Sequence, residues 1–468
     1  MPAEREGRRY EEGGPGQAEG GPGRGGVRRD RGRGDRGQSG AQHAGDRGPG
    51  PEVRGVGGGR YRGAERPQGP GPDLLLDVEQ GEEEDGGEGS QVPGPVRAVL
   101  RNDPAYGPEV LGSMCTEPHP IAAEAYAATI HTNLGDPHLF ETTAEIEREC
   151  IEWMAETLLD HPAPEEAVGH IVSGGTEANV LAAYAAREAT GGDEIVVPET
   201  RHFSFEKAAR MLGMKLVEVP TDDEYRVDVD ALQDAITDRT ALIVAIAGTT
   251  ETGSVDDVEA VADVAEDHGI PLHVDAAFGG FTIPFLRSKY PLPRIGFDLE
   301  PVVSVTVDPH KMGLVPPPAG GLIFRDDEFP SLIEVKAPYL SGGGTTQFTI
   351  TGTRPGAPAV AFKAMIETLG EEWYERVAFR CYEETLKARD IAVELGLEPA
   401  VDPPHLNLLN VRLPDEETAE TVLLEAEREG WKVSISERPL GVRIVMMPHL
   451  SADSVEPFLE FLRDVLEN

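Results

Sequence analysis

The amino-acid sequence predicts an α/β protein whose mainly parallel β-sheet lies between helices, followed by a smaller α+β domain. Three observations carry this prediction. Between residues 143 and 326, short apolar runs alternate with segments of helical period, which is typical of strands joined by crossover helices. Apolar runs of this kind suit strands that helices cover on both faces. Beyond residue 396, apolar runs and helical segments continue in a shorter unit.

The elements can be placed in order along the chain. Helical stretches are predicted over residues 177–190, 205–212, 228–235 and 255–266. A helix-rich passage over residues 357–396 precedes three further strands, in NLLNVRL, WKVSISE and GVRIVMMP, which we predict to be separated by helices. Strands of the main sheet are predicted in six runs: EIVVPE from Glu194, KLVEVP from Lys215, ALIVAIAG from Ala241, PLHVDAAF from Pro271, VVSVTVD from Val302 and GLIFR from Gly321.

The N-terminal part differs in composition from the rest. The first 70 residues hold 14 arginines, no lysine and 10 acidic residues, and they contain no Phe, Ile or Trp. Because such a segment cannot build a core, we predict a disordered tail over residues 1–92, Arg/Gly-rich and then acidic. An N-terminal segment over 93–142, a large domain over 143–356 and a helix-rich connection with a small domain over 357–468 are predicted to follow. An RNA-binding protein led by its tail is the non-enzymatic alternative, whereas a solvated tail or a mistaken translation start is the simpler interpretation.

The charge of the chain excludes some partners. Its 468 residues include 84 acidic and 42 basic side chains, for a formal net charge of −42. Nucleic acids are bound through clustered Lys and Arg, so the folded part is not expected to bind them. No apolar run approaches the roughly 20 residues of a membrane-spanning helix, and the N-terminus lacks the apolar core of a secretion signal. We therefore expect a cytoplasmic protein without membrane contact.

Residue usage indicates the environment further. Only eight lysines occur, and acidic residues follow helix faces such as DDVEAVADVAEDHG. A strongly acidic surface of this kind favours the salt-rich cytosol of a halophilic archaeon, although an ordinary acidic protein remains the alternative. The three cysteines are scattered without CxxC spacing, so we predict neither a disulfide framework nor a metal site.

The segment SGGTEAN, residues 173–179, is a candidate anion site. It follows a short apolar piece and opens an alanine-rich helix. Gly174 and Gly175 let backbone N–H groups approach a phosphate, the helix dipole favours negative charge there, and Thr176 adds a hydroxyl donor. The same pattern also occurs in ordinary turns and caps. It is neither a P-loop, because it lacks GK[ST], nor a GxGxxG fingerprint.

Two further motifs place a carboxylate and an amine at strand ends. Asp275 ends the run HVD and is followed by the small residues Ala276 and Ala277; a carboxylate there faces the crevice where parallel sheets bind ligands, unless it merely caps a turn. Lys311 comes three residues after Asp308, the last residue of the run SVTVD. Desolvation makes a lysine amine nucleophilic, which imine chemistry requires. The competing lysines, for example Lys207, lie in polar or helical contexts typical of solvated positions.

Together these motifs predict one cofactor. An anion cradle, a carboxylate for a pyridinium nitrogen and an amine that traps a carbonyl group are the set that pyridoxal phosphate requires. His202 follows the strand that begins at Glu194, where its imidazole can stack on the cofactor ring; the alternative is a histidine that caps a helix.

The order and spacing of six motifs resemble those of the group II pyridoxal-phosphate-dependent decarboxylases, with a particular likeness to the archaeal L-tyrosine/L-aspartate decarboxylases: SGGTEAN, HFSFEKA, AGTTETG, HVDAAFGG, DPHKMG and GTRPGA. The segment MCTEPHP is also similar to an N-terminal motif of that family. The likeness runs from about residue 100 to the C-terminus and leaves out the Arg/Gly tail.

The resemblance implies roles for these residues. Lys311 would form the imine with the cofactor, Asp275 would pair with its ring nitrogen, and His202 would stack on the ring. The resemblance also implies a fold-type I transferase-like architecture in which residues 143–356 bind the cofactor, and a homodimer with its active site at the subunit interface. The other cofactor-binding residues implied are Gly174, Gly175, Thr176, Thr250, Ala277, His310 and, reaching across from the partner subunit, Thr353.

The implied activity is decarboxylation of a small amino acid. L-aspartate, giving β-alanine and carbon dioxide for coenzyme A biosynthesis, is favoured because the likeness is combined with a halophile-like composition. L-tyrosine is the runner-up and L-glutamate the third candidate. The motifs identify the cofactor and not the bond that breaks, so a lyase of the sphingosine-phosphate or desulfurase type with the same cofactor stays open.

Residues for the substrate and for proton transfer are the last candidates. An acidic substrate needs a cation, because burying an unpaired carboxylate is costly. Arg354 and Arg443 each follow apolar or small residues and are the candidates, although either can instead serve an ion pair. Lys311, His202 and Tyr339, in falling order of support, are the candidate proton donors.

Overall fold

The computed structural model describes residues 105–467 of the chain. The tail predicted over residues 1–92 lies outside this range, as does the first part of the segment predicted over 93–142. Those two predictions, together with the domain boundaries, therefore stay predictions.

The main sheet has seven strands in the spatial order β1-β7-β6-β5-β4-β2-β3. Neighbours from β3 to β6 are parallel, whereas β7 runs antiparallel to both β6 and β1. The prediction of a mainly parallel sheet is confirmed, and the six predicted strands begin within one residue of their predicted positions. The strands are β1 (Val168–Val172), β2 (Glu194–Pro198), β3 (Lys215–Val219), β4 (Thr240–Ile246), β5 (Leu272–Asp275), β6 (Val302–Val307) and β7 (Gly320–Phe324).

Strand β1 was not among the predicted strands. Its sequence VGHIV is short and contains Gly169, which weakens a strand interior. A Cβ at Gly169 would lie 2.3 Å from the Leu322 carbonyl oxygen of β7. Close pairing with β7, and not local propensity, therefore makes this segment a strand.

Helices cover both faces of the sheet. Side chains alternate across a strand, and along β4 Ile243 and Ala245 join one apolar cluster while Leu242 and Val244 join another. The α-helices are α1 (Pro120–Thr129), α2 (Glu141–Trp153), α3 (Gly175–Thr190), α4 (Ser204–Leu212), α5 (Val229–Ala235), α6 (Val258–His268), α7 (Ile283–Leu286), α8 (Ala357–Thr368), α9 (Gly370–Glu394), α10 (Glu416–Glu429) and α11 (Ala452–Glu467). Long α8 and α9 confirm the helix-rich passage predicted over residues 357–396.

Helix α6 begins three residues later than predicted. Asp257 caps it by accepting a hydrogen bond from the Ala260 N–H at 3.1 Å. The residues before the cap belong to the loop that follows β4, because Val255 pairs with Ala247 in an isolated bridge. The side chain of Asp257 thus sets the helix start, as is common for N-cap aspartates.

The C-terminal part is a small antiparallel sheet with helices. Its strands lie in the order β10-β12-β11 and are β10 (Leu408–Arg412), β11 (Ser434–Glu437) and β12 (Leu440–Val445). The expectation that helices separate all three was wrong for one pair, because β11 and β12 form a hairpin in which Glu437 pairs with Leu440. Only α10 separates β10 from β11. A further two-stranded ribbon pairs β8 (Val335–Ala337) with β9 (Thr345–Gln347).

The topology brings several strand ends to one edge of the sheet. The carboxyl ends of β4, β5 and β6 meet beside the start of α3, as expected for ligand sites of parallel sheets. Between residues 105 and 467, no helix is both long and apolar enough to cross a membrane.

Candidate active site

A cavity of about 280 Å³ lies at this edge of the sheet. It collects residues from four strand ends and from the first turns of α3. Most of the residues predicted from the motifs line it, although they are scattered over more than a hundred positions of the chain: Gly174, Gly175, Thr176, His202, Thr250, Asp275, Ala277, His310 and Lys311.

The glycine turn before α3 forms one wall of the cavity. Gly174 has φ +151° and ψ 174°, a conformation that is essentially restricted to glycine. A Cβ at Gly320 of β7 would lie 2.3 Å from the Gly174 Cα, so the two backbones touch. Within the described part of the chain, no side chain caps α3. The first N–H groups of a 16-residue helix therefore face the cavity, as a phosphate site requires.

Asp275 ends β5 at the floor of the cavity. Its side chain is buried and accepts hydrogen bonds from the Asn179 amide at 2.8 Å and from the Ala277 N–H at 3.2 Å. Among residues 105–467 no cationic side chain pairs with it. A buried carboxylate that lacks a cation suits a protonated ring nitrogen of a bound group, because unpaired buried charge is costly.

Lys311 presents its amine to the same cavity. Its Nζ lies 3.3 Å from the Asp308 Oδ2 atom, and the His310 Nε2 atom lies 3.6 Å from that oxygen. The other carboxylate oxygen of Asp308 is buried and has no hydrogen-bond partner among the residues that the structure describes. Asp308 received no role from the sequence, although it ends β6 at the place where Asp275 ends β5.

His202 lies on the opposite side of the cavity, just before α4. Its Nδ1 atom is 2.9 Å from the Ser204 hydroxyl, and its ring centroid is 4.0 Å from that of Phe203. Burial lowers the pKa of the imidazole, and the nearby Asp275 carboxylate opposes this effect. The ring is therefore mainly neutral near pH 7 and is available for stacking.

Both arginines predicted for the substrate have partners within the chain. Arg354 lies outside the cavity and is buried in an ion pair with Glu147, with N–O distances of 2.6 and 3.0 Å, while also donating to the Ile171 carbonyl. Its guanidinium is therefore already bonded to partners in its own chain. Arg443 of β12 does not line the cavity either. It donates to the carbonyls of Thr250 and Gly112 at 2.7 and 2.8 Å, and its buried Nε has no partner within residues 105–467.

Two more predicted residues do not line the cavity of their own chain. Thr353 was expected to reach the phosphate site of a partner subunit. It does not line the cavity of its own chain, so that expectation stays a prediction. Tyr339 is 85% exposed in the ribbon segment and makes no contact with the cavity.

Sequence reasoning missed several cavity residues. Asn179, Phe203 and Asp308 line the cavity, and Ser204 supports it from behind. Asn179 belongs to the SGGTEAN motif and Ser204 to HFSFEKA. Their closeness in sequence to the predicted site residues was therefore the signal that could have identified them. What each of them contacts could not be read from that proximity.

The cavity fits pyridoxal phosphate by its own chemistry. It offers an amine for the aldehyde, an unpaired buried carboxylate for the ring nitrogen and an uncapped helix N-terminus for the phosphate. Glycines at residues 174 and 320 keep the turn free of side chains that would fill the cradle.

Comparison with known proteins agrees with this chemistry. Residues 108–396 match the family described as "Pyridoxal-dependent decarboxylase conserved domain". The chain is 73% identical over 369 residues to the probable L-tyrosine/L-aspartate decarboxylase of Methanopyrus kandleri, a match that covers 79% of this chain and 99% of the relative. It is 48% identical over 360 residues to the L-aspartate decarboxylase of Thermococcus kodakarensis, covering 76% and 91% of the two chains.

A solved structure shows the same architecture. The glutamate decarboxylase of Lactobacillus brevis superposes with a TM-score of 0.69 at 24% identity, covering 85% of this chain and 96% of the other. At that identity the likeness concerns the fold alone. It confirms the predicted fold class, a large domain with a mainly parallel sheet and a small C-terminal domain.

Proposed function

The chain belongs to the pyridoxal-dependent decarboxylase family, and from this premise we propose that it converts L-aspartate to β-alanine and carbon dioxide. One observation carries the proposal: Lys311, Asp275 and the uncapped start of α3 meet in one cavity. The relative from Thermococcus kodakarensis, named an L-aspartate decarboxylase, supports the choice of substrate.

The residues that would hold the cofactor follow from the site. Lys311 would bind its aldehyde carbon, Asp275 would hold the ring nitrogen, and His202 would stack on the ring. The start of α3, with Gly174, Gly175 and Thr176, would hold the phosphate, together with His310. When bound, pyridoxal phosphate supplies an electron sink for a bond that breaks at the α-carbon of an amino acid.

The chain itself must then return a proton to the α-carbon. We assign this step to Lys311, because its Nζ lies 3.3 Å from Asp308 and is anchored inside the cavity. The orphaned oxygen of Asp308 lies in the same buried environment. Asp308 thereby keeps the lysine amine oriented. His202 is the second candidate, and the exposed Tyr339 is the weakest.

Arg443 is the cation that we propose for the substrate carboxylate. Its buried Nε atom has no hydrogen-bond partner among residues 105–467. One of its terminal nitrogens donates to the carbonyl of Thr250, a residue that lines the cavity, and the other donates to the Gly112 carbonyl. Burial lowers the pKa of its guanidinium, which an anionic ligand would relieve. Arg354 is not carried into the proposal, because Glu147 and the Ile171 carbonyl occupy its donors.

L-tyrosine is the second candidate substrate. The relative from Methanopyrus kandleri carries both substrates in its name. L-glutamate is third. If the enzyme instead uses the same cofactor to break a different bond, it would release no carbon dioxide from aspartate.

The experiment measures carbon dioxide and amine from purified enzyme incubated with pyridoxal phosphate in molar salt. Aspartate, tyrosine and glutamate are supplied separately. We expect β-alanine from aspartate at the highest kcat/KM, and a loss of at least about 10³-fold in Lys311→Ala because the covalent attachment is removed. Lys363→Ala, whose lysine pairs with Glu149 and Glu367 on a helix, is the matched control and should keep its rate. Turnover by Lys311→Ala at the wild-type rate would refute the assignment.

We further propose that the enzyme is a homodimer. Several large apolar side chains are exposed in two segments that hydrogen bonds tie together, Ser341 to Asp136 at 2.8 Å and Gln347 to the Gly135 carbonyl at 2.6 Å. These side chains are Ile130, Leu139, Val335, Tyr339 and Ile350, with exposed fractions of 50% to 85%. A second copy covering them would bring Thr353 towards the partner's cavity.

Light scattering after gel filtration tests the dimer. We expect twice the chain mass of 50.3 kDa for the wild type and the monomer mass for the double variant Tyr339→Asp, Ile350→Asp. Leu424→Asp, at an exposed leucine of α10, is the control and should remain dimeric. A monomeric wild type would exclude the dimer.

The setting of the reaction is also a proposal. All three cysteines are free, which suits the reducing cytoplasm of a cell. The acidic composition suits a cytosol of high salt, and β-alanine would serve coenzyme A biosynthesis there. Auxotrophy for β-alanine after loss of the gene is the expected phenotype.

A further inference from the structure

A buried polar layer lies directly behind the cavity, and its centre is Asn179 of α3. This side chain is 1% exposed. Its amide nitrogen lies 2.8 Å from Asp275 Oδ2 and 2.9 Å from the Ser204 hydroxyl. Its amide oxygen lies 2.7 Å from the Thr306 hydroxyl and 3.1 Å from His273 Nε2. The amide therefore uses both donors and both acceptor positions.

The neighbours fix which way this amide points. The atom beside Asp275 Oδ2 is the amide nitrogen, which donates to the carboxylate, whereas an amide oxygen there would face another acceptor. On the other side, burial lowers the pKa of His273 to about 4, so its ring is neutral and carries one N–H. Because the Asn179 oxygen, 3.1 Å from Nε2, can only accept, the N–H must lie on Nε2, and the Ser304 hydroxyl, 2.8 Å from Nδ1, donates to that nitrogen. Rotating the amide by half a turn would place its oxygen against the Asp275 carboxylate and lose that bond, and the two hydroxyls and His273 would have to exchange donor and acceptor roles.

The chain of donors continues from Asn179 to His202. Because the Ser204 hydroxyl accepts from Asn179, its own hydrogen is free to point to His202 Nδ1, which lies 2.9 Å away. The Ser204 backbone N–H also points to that nitrogen, at 3.3 Å. Both donors require a bare Nδ1, so the single hydrogen of the neutral ring must sit on Nε2.

We propose that Asn179 is a positioning residue that orients the Asp275 carboxylate directly and sets the tautomer of His202 through Ser204. One amide thus controls both groups that would contact the cofactor ring. The hydrogen-bond geometry stands by itself, whereas its consequence for the cofactor rests on the proposed function. Thr306 and His273, which bond to the amide oxygen, hold Asn179 in place from behind.

The tautomer is tested on cofactor-free protein by long-range ¹H–¹⁵N NMR of the histidine rings. In the wild type we expect the Nδ1 atom of His202 to be bare and Nε2 to carry hydrogen. Asn179→Asp replaces the donor with an acceptor of the same shape, so the Ser204 hydroxyl turns round towards residue 179. Only the Ser204 backbone N–H then favours a bare Nδ1, and the Nδ1–H form of His202 should become populated. Ser204→Ala removes only the hydroxyl and should give a mixture of the two tautomers.

Cofactor affinity tests the other part of the proposal, the orientation of the Asp275 carboxylate by Asn179. Asn179→Ala leaves Asp275 without its amide donor, and loss of a hydrogen bond to a charged group predicts a Kd for pyridoxal phosphate raised about tenfold or more. Ser204→Ala keeps that donor and should stay within about threefold of the wild-type Kd. Lys363→Ala, whose lysine pairs with Glu149 and Glu367, is the control for both readouts and should keep the His202 tautomer and the Kd.

Two results would overturn the inference. One is an unchanged His202 tautomer in both Asn179→Asp and Ser204→Ala, and the other is an unchanged Kd in Asn179→Ala. If Asn179→Ala does not fold, the Ser204→Ala and Asn179→Asp spectra still decide. A chain that shifts its tautomer as expected but decarboxylates none of the three amino acids would refute the proposed function and leave this positioning role standing.

Discussion

At the scale of single residues, two buried carboxylates end neighbouring strands in different surroundings. Asp275 accepts hydrogen bonds from an amide and a backbone N–H, and no cation of the described chain pairs with it. Asp308 faces the Lys311 amine and keeps one oxygen without a partner. The first arrangement leaves room for a cation brought by a ligand, whereas the second holds the chain's own amine. Similar positions at the ends of adjacent strands thus serve different tasks.

His273 gives a prediction at the same scale. It is fully buried and neutral, and its pKa is lowered to about 4 by burial. The unfolded chain binds a proton near the ordinary pKa of about 6.5, so the stabilisation is complete above that pH and is lost as the pH falls towards 4. Between pH 7 and pH 4.5 we expect this residue alone to cost about 2 to 3 kcal/mol.

The measurement compares urea unfolding of the wild type and His273→Gln at the two pH values. Glutamine does not titrate, so the free energy of unfolding of the variant should fall less on acidification. Equal losses in both proteins would show that His273 is not the group responsible.

At the scale of elements, the glycines at the two ends of α3 have different structural roles. Gly174 before the helix adopts φ +151° and faces the cavity, where a Cβ would lie 3.4 Å from the His310 ring. Gly191 after the helix adopts φ +70° with open space around it. The first position therefore serves the ligand site and the second only ends the helix.

Alanine substitutions separate these duties. Alanine disfavours the backbone conformation of Gly174, so the turn would have to change shape and distort the phosphate site. Gly174→Ala should therefore destabilise the protein by about 1 to 3 kcal/mol and raise the Kd for pyridoxal phosphate. Gly191→Ala should cost about 1 kcal/mol and leave the Kd unchanged. Calorimetry and titration of the cofactor give the two quantities, and an equal effect of both variants on Kd would contradict the cradle.

A buried ion pair joins three other elements. Glu147 of α2 and Arg354, which precedes α8, bond to each other, and Arg354 also holds the carbonyl of Ile171 in β1. Burial by itself would raise the pKa of Glu147, but Arg354 and His170 hold it well below the usual range. The pair fixes the position of the chain around Thr353.

Removing one partner of this pair should be expensive. Glu147→Gln leaves the guanidinium charge buried and is expected to cost about 3 to 5 kcal/mol, whereas Glu147→Leu combined with Arg354→Met should recover most of that loss. Glu259→Ala, in an exposed pair with Arg294, is the control and should cost about 1 kcal/mol or less. Denaturant unfolding gives these values, and a Glu147→Gln variant as stable as the control would contradict the expectation.

At the scale of the whole molecule, the net charge of −42 dominates the electrostatics. Like charges on a folded surface repel one another and destabilise the compact state at low ionic strength. Many ion pairs are exposed, for example Arg239 with Asp193, and pairs of this kind offset little of that repulsion.

Salt should therefore stabilise this protein. Raising KCl from about 0.1 M to about 1 M shortens the Debye length from about 10 Å to about 3 Å, and we expect Tm to rise by about 5 °C or more. Replacing Glu420, Glu427 and Glu429 of α10 by glutamine should reduce that rise, since fewer charges remain to be screened. A Tm that falls with salt in the wild type would exclude self-repulsion as the dominant effect.

The sequence by itself determined the elements and most of the cavity. Strand starts from Glu194 to Gly320 followed from apolar runs, because periodicity is a local property that a single segment carries. Lys311 and Asp275 were found because strand ends of a parallel sheet converge at one edge. Local reasoning failed where pairing decides structure, as in β1 and in the hairpin of β11 and β12.

Only the tertiary structure decided which partner each polar side chain has. Asn179 bonds to Asp275 across 96 positions, and Arg354 bonds to Glu147 across 207 positions. No local pattern encodes such pairs, since they arise when distant elements close on one another. Burial then removes water as a competing partner, so each buried polar group must bond to whatever the packing brings near. For this reason the sequence could not show that Arg354 pairs with Glu147, and its role towards a substrate stays a prediction.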